Sequence, residues 1–269
     1  MIDLHSHILP GIDDGARSLE EAVAMCRLAA ADGCEAMAAT PHQWRGPWWN
    51  TDREELDALR GRLQEAVGGE LRILAGGEIH VDVQLFAELE SLLRADPAEP
   101  GSSGILPLAG SRYLLLEFAS SGSPDAAADL VHELSVAGWR PILAHPEFIA
   151  WMAEDRARVE QLVALGAFVQ VTAMSITGDF GRRAQSDCNR LLEAGLVHFV
   201  ASDSHDLRRR PPGLKRAYRT IAARWGEETA RRLVSDHPRA VVEDRPLPAP
   251  QAPVAPSRGE SAGGSEAGP

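Results

Sequence analysis

Seven short apolar runs, each followed by a longer segment with helical periodicity, constrain this 269-residue chain more than any other feature. The runs cover residues 2–7, 35–40, 71–76, 113–118, 141–145, 168–172 and 197–202. Amphipathic segments lie between them at about 18–32, 52–67, 84–94, 125–137, 155–165 and 182–194, with 213–235 after the last run. Strands that alternate with helices imply a parallel sheet, because a helical crossover returns the chain to start the next strand in the same direction. That sheet is either open or closed into a barrel, and α/β barrels of this length commonly form one unit. Ser18-x-x-Glu21 predicts a capping box at the first helix, and Gly33, Gly138, Gly166 and Gly195 fall where left-handed helix caps favour glycine.

Composition bounds the rest. Residues 246–269 are rich in Pro, Ala, Gly and Ser and hold almost no bulky apolar side chain, which predicts a disordered tail behind a single domain at 1–245. No apolar stretch approaches the roughly 18–20 residues of a membrane span, and the N-terminus lacks the basic and apolar regions of a signal peptide. Cys26, Cys34 and Cys188 are scattered without metal-type spacing and read as reduced thiols of a cytoplasmic protein. A formal charge of −12 argues against a nucleic-acid partner. It leaves room for an anionic substrate, because bound cations can dominate the field at a site.

Polar residues recur at the C-terminal ends of successive runs. His5 and His7 end the first, and as strand residues i and i+2 they share one side and can share one ion. Thr40-Pro41-His42 ends the second, Gly77-Glu78 the third, Glu117 the fourth, His145-Pro146-Glu147 the fifth, Gln170-Val171-Thr172 the sixth and Asp203-Ser204-His205 the seventh. Each alone has an ordinary explanation: a half-exposed histidine pair, a helix-capping glutamate, a His-Pro turn. Together they mark the end of the sheet where strand-to-helix loops converge on an active site. A carboxylate closing an apolar strand buries a costly charge unless it is paired, and a cation is the obvious partner. Imidazole suits zinc, manganese and iron, and Asp13 and Asp14 suit harder cations.

His5-x-His7, Thr40-Pro41-His42, Gly77-Glu78, His145 and Ser202-Asp203-Ser204-His205 resemble the motifs of the polymerase-and-histidinol-phosphatase (PHP) superfamily. The opening run from Asp3 to Gly15, with Gln170-Val171-Thr172-Ala173, Phe180-Gly181 and Arg210-Pro211-Pro212, resembles the bacterial manganese-dependent tyrosine-protein phosphatases of capsule and exopolysaccharide operons. The resemblance runs from residue 2 to about 240. It implies a distorted (β/α)7 barrel holding three divalent ions, manganese first, with iron or zinc as alternatives. The first ion would be held by His5, His7, Glu78 and Asp203. The second would take Glu78, Glu117 and His145, and the third Asp14, His42 and His205.

The implied chemistry is phosphomonoester hydrolysis by a metal-activated water, with Asp203 and His42 among the catalytic ligands and Arg210 near the substrate phosphate. The three cysteines form no Cys-x5-Arg loop. The implied substrate is a phosphotyrosine protein, the tyrosine-rich tail of an autokinase controlling polysaccharide export. A small-molecule phosphatase such as histidinol-phosphatase shares the metal chemistry. A non-catalytic module would have lost ligands, yet all nine positions carry competent side chains. One departure stands out: the resembled pattern His-Pro-Glu-Arg-Tyr is here His145-Pro146-Glu147-Phe148-Ile149. One arginine is therefore missing unless Arg45, Arg182 or Arg183 supplies it. His80 is a candidate supporting residue, and Trp44, Trp48 and Trp49 either flank the substrate or pack their loop.

Overall fold

Pro41 and the Gly76-Gly77 pair separate two of the seven runs from further short strands that were not expected. In a computed structural model, which describes residues 1–82 and 104–247, the second run becomes β2 (Ala36–Ala39), and β3 (His42–Gln43) follows beyond Pro41. The third becomes β4 (Arg72–Ala75), and β5 (Glu78–Val81) follows beyond the glycines. Pro41 has no N–H to continue a ladder. A Cβ at Gly77 would meet the Gln43 side chain at 2.2 Å, so the approach of β5 to β3 requires glycine there. The remaining strands are β1 (Ile2–Asp3), β6 (Tyr113–Phe118), β7 (Arg140–Ala144), β8 (Phe168–Thr172) and β9 (Phe199–Ala201). The described residues thus form an α/β fold with nine short strands where seven longer ones were expected.

All strand pairs are parallel, in two sheets ordered β1-β2-β4 and β3-β5-β6-β7-β8-β9. The chain passes from the first sheet into the second between β2 and β3 and again between β4 and β5. A parallel bridge between Ser6 and Ser204 ties the chain beyond β1 to the chain beyond β9, with His7 N–H donating to the Ser204 carbonyl at 2.8 Å.

The period-two alternation of strands decides what faces what. Leu114 and Leu116 of β6 join the large core shared with the helices. Tyr113 and Leu115 face a second, smaller cluster with Ile2, Leu4, Ala38, Ile142 and Phe199. Glu117 follows on that same inner side, so the inner face is apolar along most of its length and polar at the C-terminal strand ends.

Helix α1 (Leu19–Asp32) starts as the sequence predicts, with the Glu21 N–H donating to Ser18 Oγ. The return arm differs: the Glu21 carboxylate accepts from Arg17 N–H at 3.0 Å, not from Ser18. Gly33 caps α1 with φ of 100°, and the other three expected cap glycines also have positive φ. Then follow α2 (Arg53–Val67), α3 (Pro124–Val136), α4 (Ala150–Glu154), α5 (Arg156–Ala164), α6 (Ala173–Thr177) and α7 (Gly181–Glu193). The helix expected at 213–235 is broken. It comprises α8 (Lys215–Trp225), a reversal at Gly226 with φ of 91°, α9 (Glu227–Arg231), a π-type turn over Arg232–Asp236 and then α10 (His237–Val242). The helix expected at 84–94 and nearly all of the tail expected from 246 lie outside the described residues.

At the opposite end from the polar strand ends, His198 is buried and neutral. Its Nδ1 accepts the Val169 N–H at 3.1 Å, and its carbonyl accepts from His237 Nδ1–H at 2.9 Å. Burial, reinforced by His237, pushes His198 down to about 4. The unfolded chain therefore binds a proton that the folded chain refuses between pH 6.5 and about 4, and stability falls as pH drops through that window. The shift corresponds to a loss on the order of 3 kcal/mol. Thermal unfolding of His198→Gln should be less acid-sensitive over this range than that of the wild type, and identical pH dependence in the two proteins would refute the assignment.

Candidate metal centre

Five histidines and four carboxylates from six strand ends and the Asp14 turn meet at the polar end of the inner face. His5 and His7 are fully buried, with their Nε2 atoms 3.3 Å apart. Asp203 Oδ1 lies 3.4 Å from His5 Nε2 and 3.6 Å from His7 Nε2. Glu78, 1% exposed, is central: its Oε1 is 2.8 Å from His145 Nε2 and 3.3 Å from His5 Nε2. Its Oε2 is 2.8 Å from His42 Nδ1 and 3.4 Å from His7 Nε2. Asp14 Oδ1 sits 3.2 Å from His42 Nε2 and 3.4 Å from His205 Nε2. All nine residues expected as ligands are thus brought together.

The donors fit divalent cations. Glu78 Oε2 has imidazole nitrogens beside it but none aligned to donate, so this buried oxygen has no hydrogen-bond partner; His145 Nδ1 is likewise buried without one. Mixed imidazole and carboxylate donors are the chemistry of manganese, iron and zinc. Four groups have ligand atoms within 4.8 Å of one another: His7, Asp14, His42 and His205; His5, His7 and Asp203; His5, Glu78 and His145; and His42, Glu78 and Glu117. Glu78 is shared between the group that holds His145 and the group that holds Glu117. Arg45 and His80 hold the two oxygens of Glu117, at 3.2 and 2.9 Å, and draw it toward His42.

The electrostatics follow from this crowding. Burial opposes charge on His7, but Asp13 and then Glu78 more than offset it and raise its pKa to about 10. His145 is raised to about 9, burial being overcome by Glu78. Burial would raise Glu78, yet the imidazoles, His5 foremost, hold it well below the usual carboxylate range. Asp203 is held down against burial by His5 and then Arg210. His205 is lowered by burial and by the charge of His7. A cation binding here displaces protons from these rings, so its affinity rises with pH. His145 and Asp203 also occupy the left-handed region, with φ of 32° and 52°. Such strain costs about 1–3 kcal/mol per residue and concentrates at functional sites.

Supporting residues orient the rings. His7 Nδ1–H donates to Asp13 Oδ2 at 2.8 Å, and Asp13 Oδ1 accepts from Gly15 N–H at 2.9 Å. His5 Nδ1–H donates to Gln170 Oε1 at 2.9 Å. Asp13, read from the sequence with Asp14 as suiting a hard cation, instead holds the His7 ring, and Gln170 was noted without a role; the available signal was an amide on the inner face of an apolar strand and an Asp two residues before a turn glycine. His80, read as a supporting residue, does support Glu117. Such contacts fix tautomer and ring orientation. Gln170→Ala should weaken metal binding about 10–100-fold, measured by titration calorimetry, and unchanged affinity would count against this role.

Seven of the nine donors, all but His5 and His7, line a cleft of about 280 Å³ together with Arg45, Phe148, Phe180 and Arg210. Arg210 hydrogen-bonds Asp203 Oδ2 and lies 3.3 Å from His205 Nε2. Arg45 Nη1 lies 3.1 Å from His42 Nε2. Arg183 instead pairs with exposed Glu154, and Arg182 does not line the cleft. Trp48 stacks on His42 at 5.3 Å and 17°, and Trp44 meets Trp49 edge-on, so these tryptophans pack their loop and the His42 ring. The cysteines are all buried; burial pushes Cys26 up to about 12 and Cys188 well above its ordinary value, which leaves no thiolate nucleophile among them. Among the described residues, no helix is long and apolar enough to cross a membrane.

Fold and site together define an α/β protein built around a candidate multi-metal centre. Residues 1–243 match the family described as capsular polysaccharide synthesis, CpsB/CapC, and the chain belongs to that family. It is 34% identical over 232 residues to the tyrosine-protein phosphatase YwqE of Bacillus subtilis, covering 85% of this chain and 86% of that one. It is 30% identical to the tyrosine-protein phosphatase CpsB of Streptococcus pneumoniae, covering 91% and 99%. A solved structure from the pair YwqE and CpsB, described as unique metal-dependent tyrosine phosphatases, superposes with a TM-score of 0.81 at 31% identity, covering 96% of this chain and all of that one. An organophosphorus hydrolase variant matches with a TM-score of 0.53 at 16% identity over 90% of this chain and 92% of its own, a likeness of fold alone. The resemblance read from the sequence motifs is borne out.

Proposed function

We propose that the chain is a metal-dependent protein-tyrosine phosphatase of capsular or exopolysaccharide synthesis. The observation that carries this reading is the convergence of nine nitrogen and oxygen donor residues, seven of which line a cleft together with two guanidinium groups. The names of the family relatives support phosphotyrosine as the group acted on.

His5, His7, Glu78 and Asp203 would hold one ion, with Glu78, Glu117 and His145 around a second and Asp14, His42 and His205 around a third. Manganese is the first choice, with iron or zinc as alternatives. Bound divalent ions supply Lewis acidity, neutralising phosphoryl charge and acidifying the attacking water. The chain's own contributions are positional. Arg210 and Arg45, both lining the cleft, would turn from their present partners Asp203 and Glu117 to the non-bridging phosphoryl oxygens, which a guanidinium fork can grip bidentately. Arg45 thereby replaces the arginine absent at position 148. Asp13 and Gln170 keep Nε2 of His7 and His5 free to face the ions.

Seven strand regions in sequential order, with Ser6 bridged to Ser204, support a distorted (β/α)7 barrel in which the two sheets are parts of one ring. Residues 1–245 are read as the phosphatase domain and the remainder as a tail, supported by a family match that ends at residue 243. Three buried free thiols support a cytoplasmic location. There the substrate would be the tyrosine-rich tail of an autokinase.

The test compares turnover of a phosphotyrosine peptide, a phosphoserine peptide and histidinol phosphate by manganese-loaded protein. Preference for phosphotyrosine is expected. Equal or better turnover of histidinol phosphate would overturn the substrate assignment in favour of a small-molecule phosphatase.

A further inference from the structure

Position 148 departs from the resembled pattern by placing a phenylalanine at the mouth of the cleft. Phe148 closes the single 3₁₀ turn Pro146–Phe148 that follows His145, and its N–H donates to the His145 carbonyl at 2.9 Å. The turn sets the ring beside His145, with centroids 5.8 Å apart, and His145 in turn touches Glu78. Phe148 meets Phe180 edge-to-face, at 5.4 Å and 84°. Arg210 lies over the Phe180 ring, with its guanidinium carbon 5.9 Å from the ring centroid. Both phenylalanines line the cleft that also holds Arg45 and Arg210, yet Phe148 keeps 41% of its surface in water.

We propose that Phe148 and Phe180 form an aromatic wall that receives the ring of an aryl phosphate, making the cleft selective for aryl over alkyl phosphomonoesters. This inference rests on the phosphatase reading. A phosphotyrosine side chain is a charged head on a flat apolar ring. The cleft offers the same sequence of surfaces: a donor-lined floor and two arginines for the head, then two rings for the apolar part. Edge-to-face and offset contacts between rings add to the gain from burying apolar area. An alkyl phosphate leaves the wall wet and gains neither. The exchange of a cation for a ring at position 148 thus trades charge for shape, with Arg45 keeping a second cation at the cleft.

Titration calorimetry on the metal-loaded protein with phenylphosphonate and methylphosphonate, which cannot be hydrolysed, tests the wall without requiring turnover. The wild type should bind the phenyl compound about tenfold more tightly, and Phe148→Ala should bring that ratio close to one. Phe148→Tyr should retain the preference, which separates a ring requirement from a folding defect. Equal affinity of the wild type for the two phosphonates, or an undiminished ratio in Phe148→Ala, would overturn the proposal. A protein that discriminates the phosphonates but hydrolyses no phosphomonoester would retain the wall and refute the phosphatase reading instead.

Discussion

Glu78→Gln should lower phosphomonoester turnover by more than about a thousandfold, beyond the roughly 10²–10³ lost when one donor to a transition state is removed. Glu78 belongs to two of the four donor groups, and its two oxygens face four different imidazoles. Glutamine preserves the volume but removes the charge, so the cluster of imidazoles loses its central anion. The effect reaches beyond one ion: His7 and His145 owe part of their raised pKa to Glu78. Elemental analysis of the purified variant should therefore show lost metal alongside lost turnover. A variant with full metal content and activity within tenfold of the wild type would contradict the assignment.

Arg210→Ala should lower kcat/KM by about 10²–10³-fold and Arg45→Ala by about 10–100-fold. Arg210 stands in a run of three arginines, but its neighbours differ from it. The Arg208 and Arg209 side chains are exposed, whereas Arg210 is 31% exposed and folded back onto Asp203. Lysine should rescue neither position well, because a point charge cannot reproduce a bidentate fork. If both guanidinium groups grip one phosphoryl group, the double variant should lose less than the product of the single losses, since groups acting as a unit are not additive. Single losses below threefold would show that the arginines are only solvated rim residues.

The donor set was legible because strand ends force the issue. A glutamate after three leucines in β6, or two histidines at i and i+2 after β1, has few places to go other than the inner face. The sheet division was harder to read, since it depends on Pro41 and Gly77 acting against neighbouring strands, Gly77 through its contact with Gln43. The broken C-terminal helix has a local signal in Gly226, but the amphipathic pattern runs through it and hides the break. The placement of Glu117 near His42 was not legible at all. It is set by Arg45 and His80, which lie 72 and 37 residues away in sequence. Phe148 shows the converse: the sequence alone exposed the departure, and only the packing against Phe180 and His145 gives it a use.

The most direct test of a metal-dependent phosphatase is chelation followed by add-back, with metal stoichiometry and phosphotyrosine-peptide turnover measured on the same samples. Stripped protein should retain less than about 1% of its activity, and manganese should restore it in proportion to the ions bound, while Glu78→Gln should recover neither. Full turnover by protein shown to be metal-free would contradict the account.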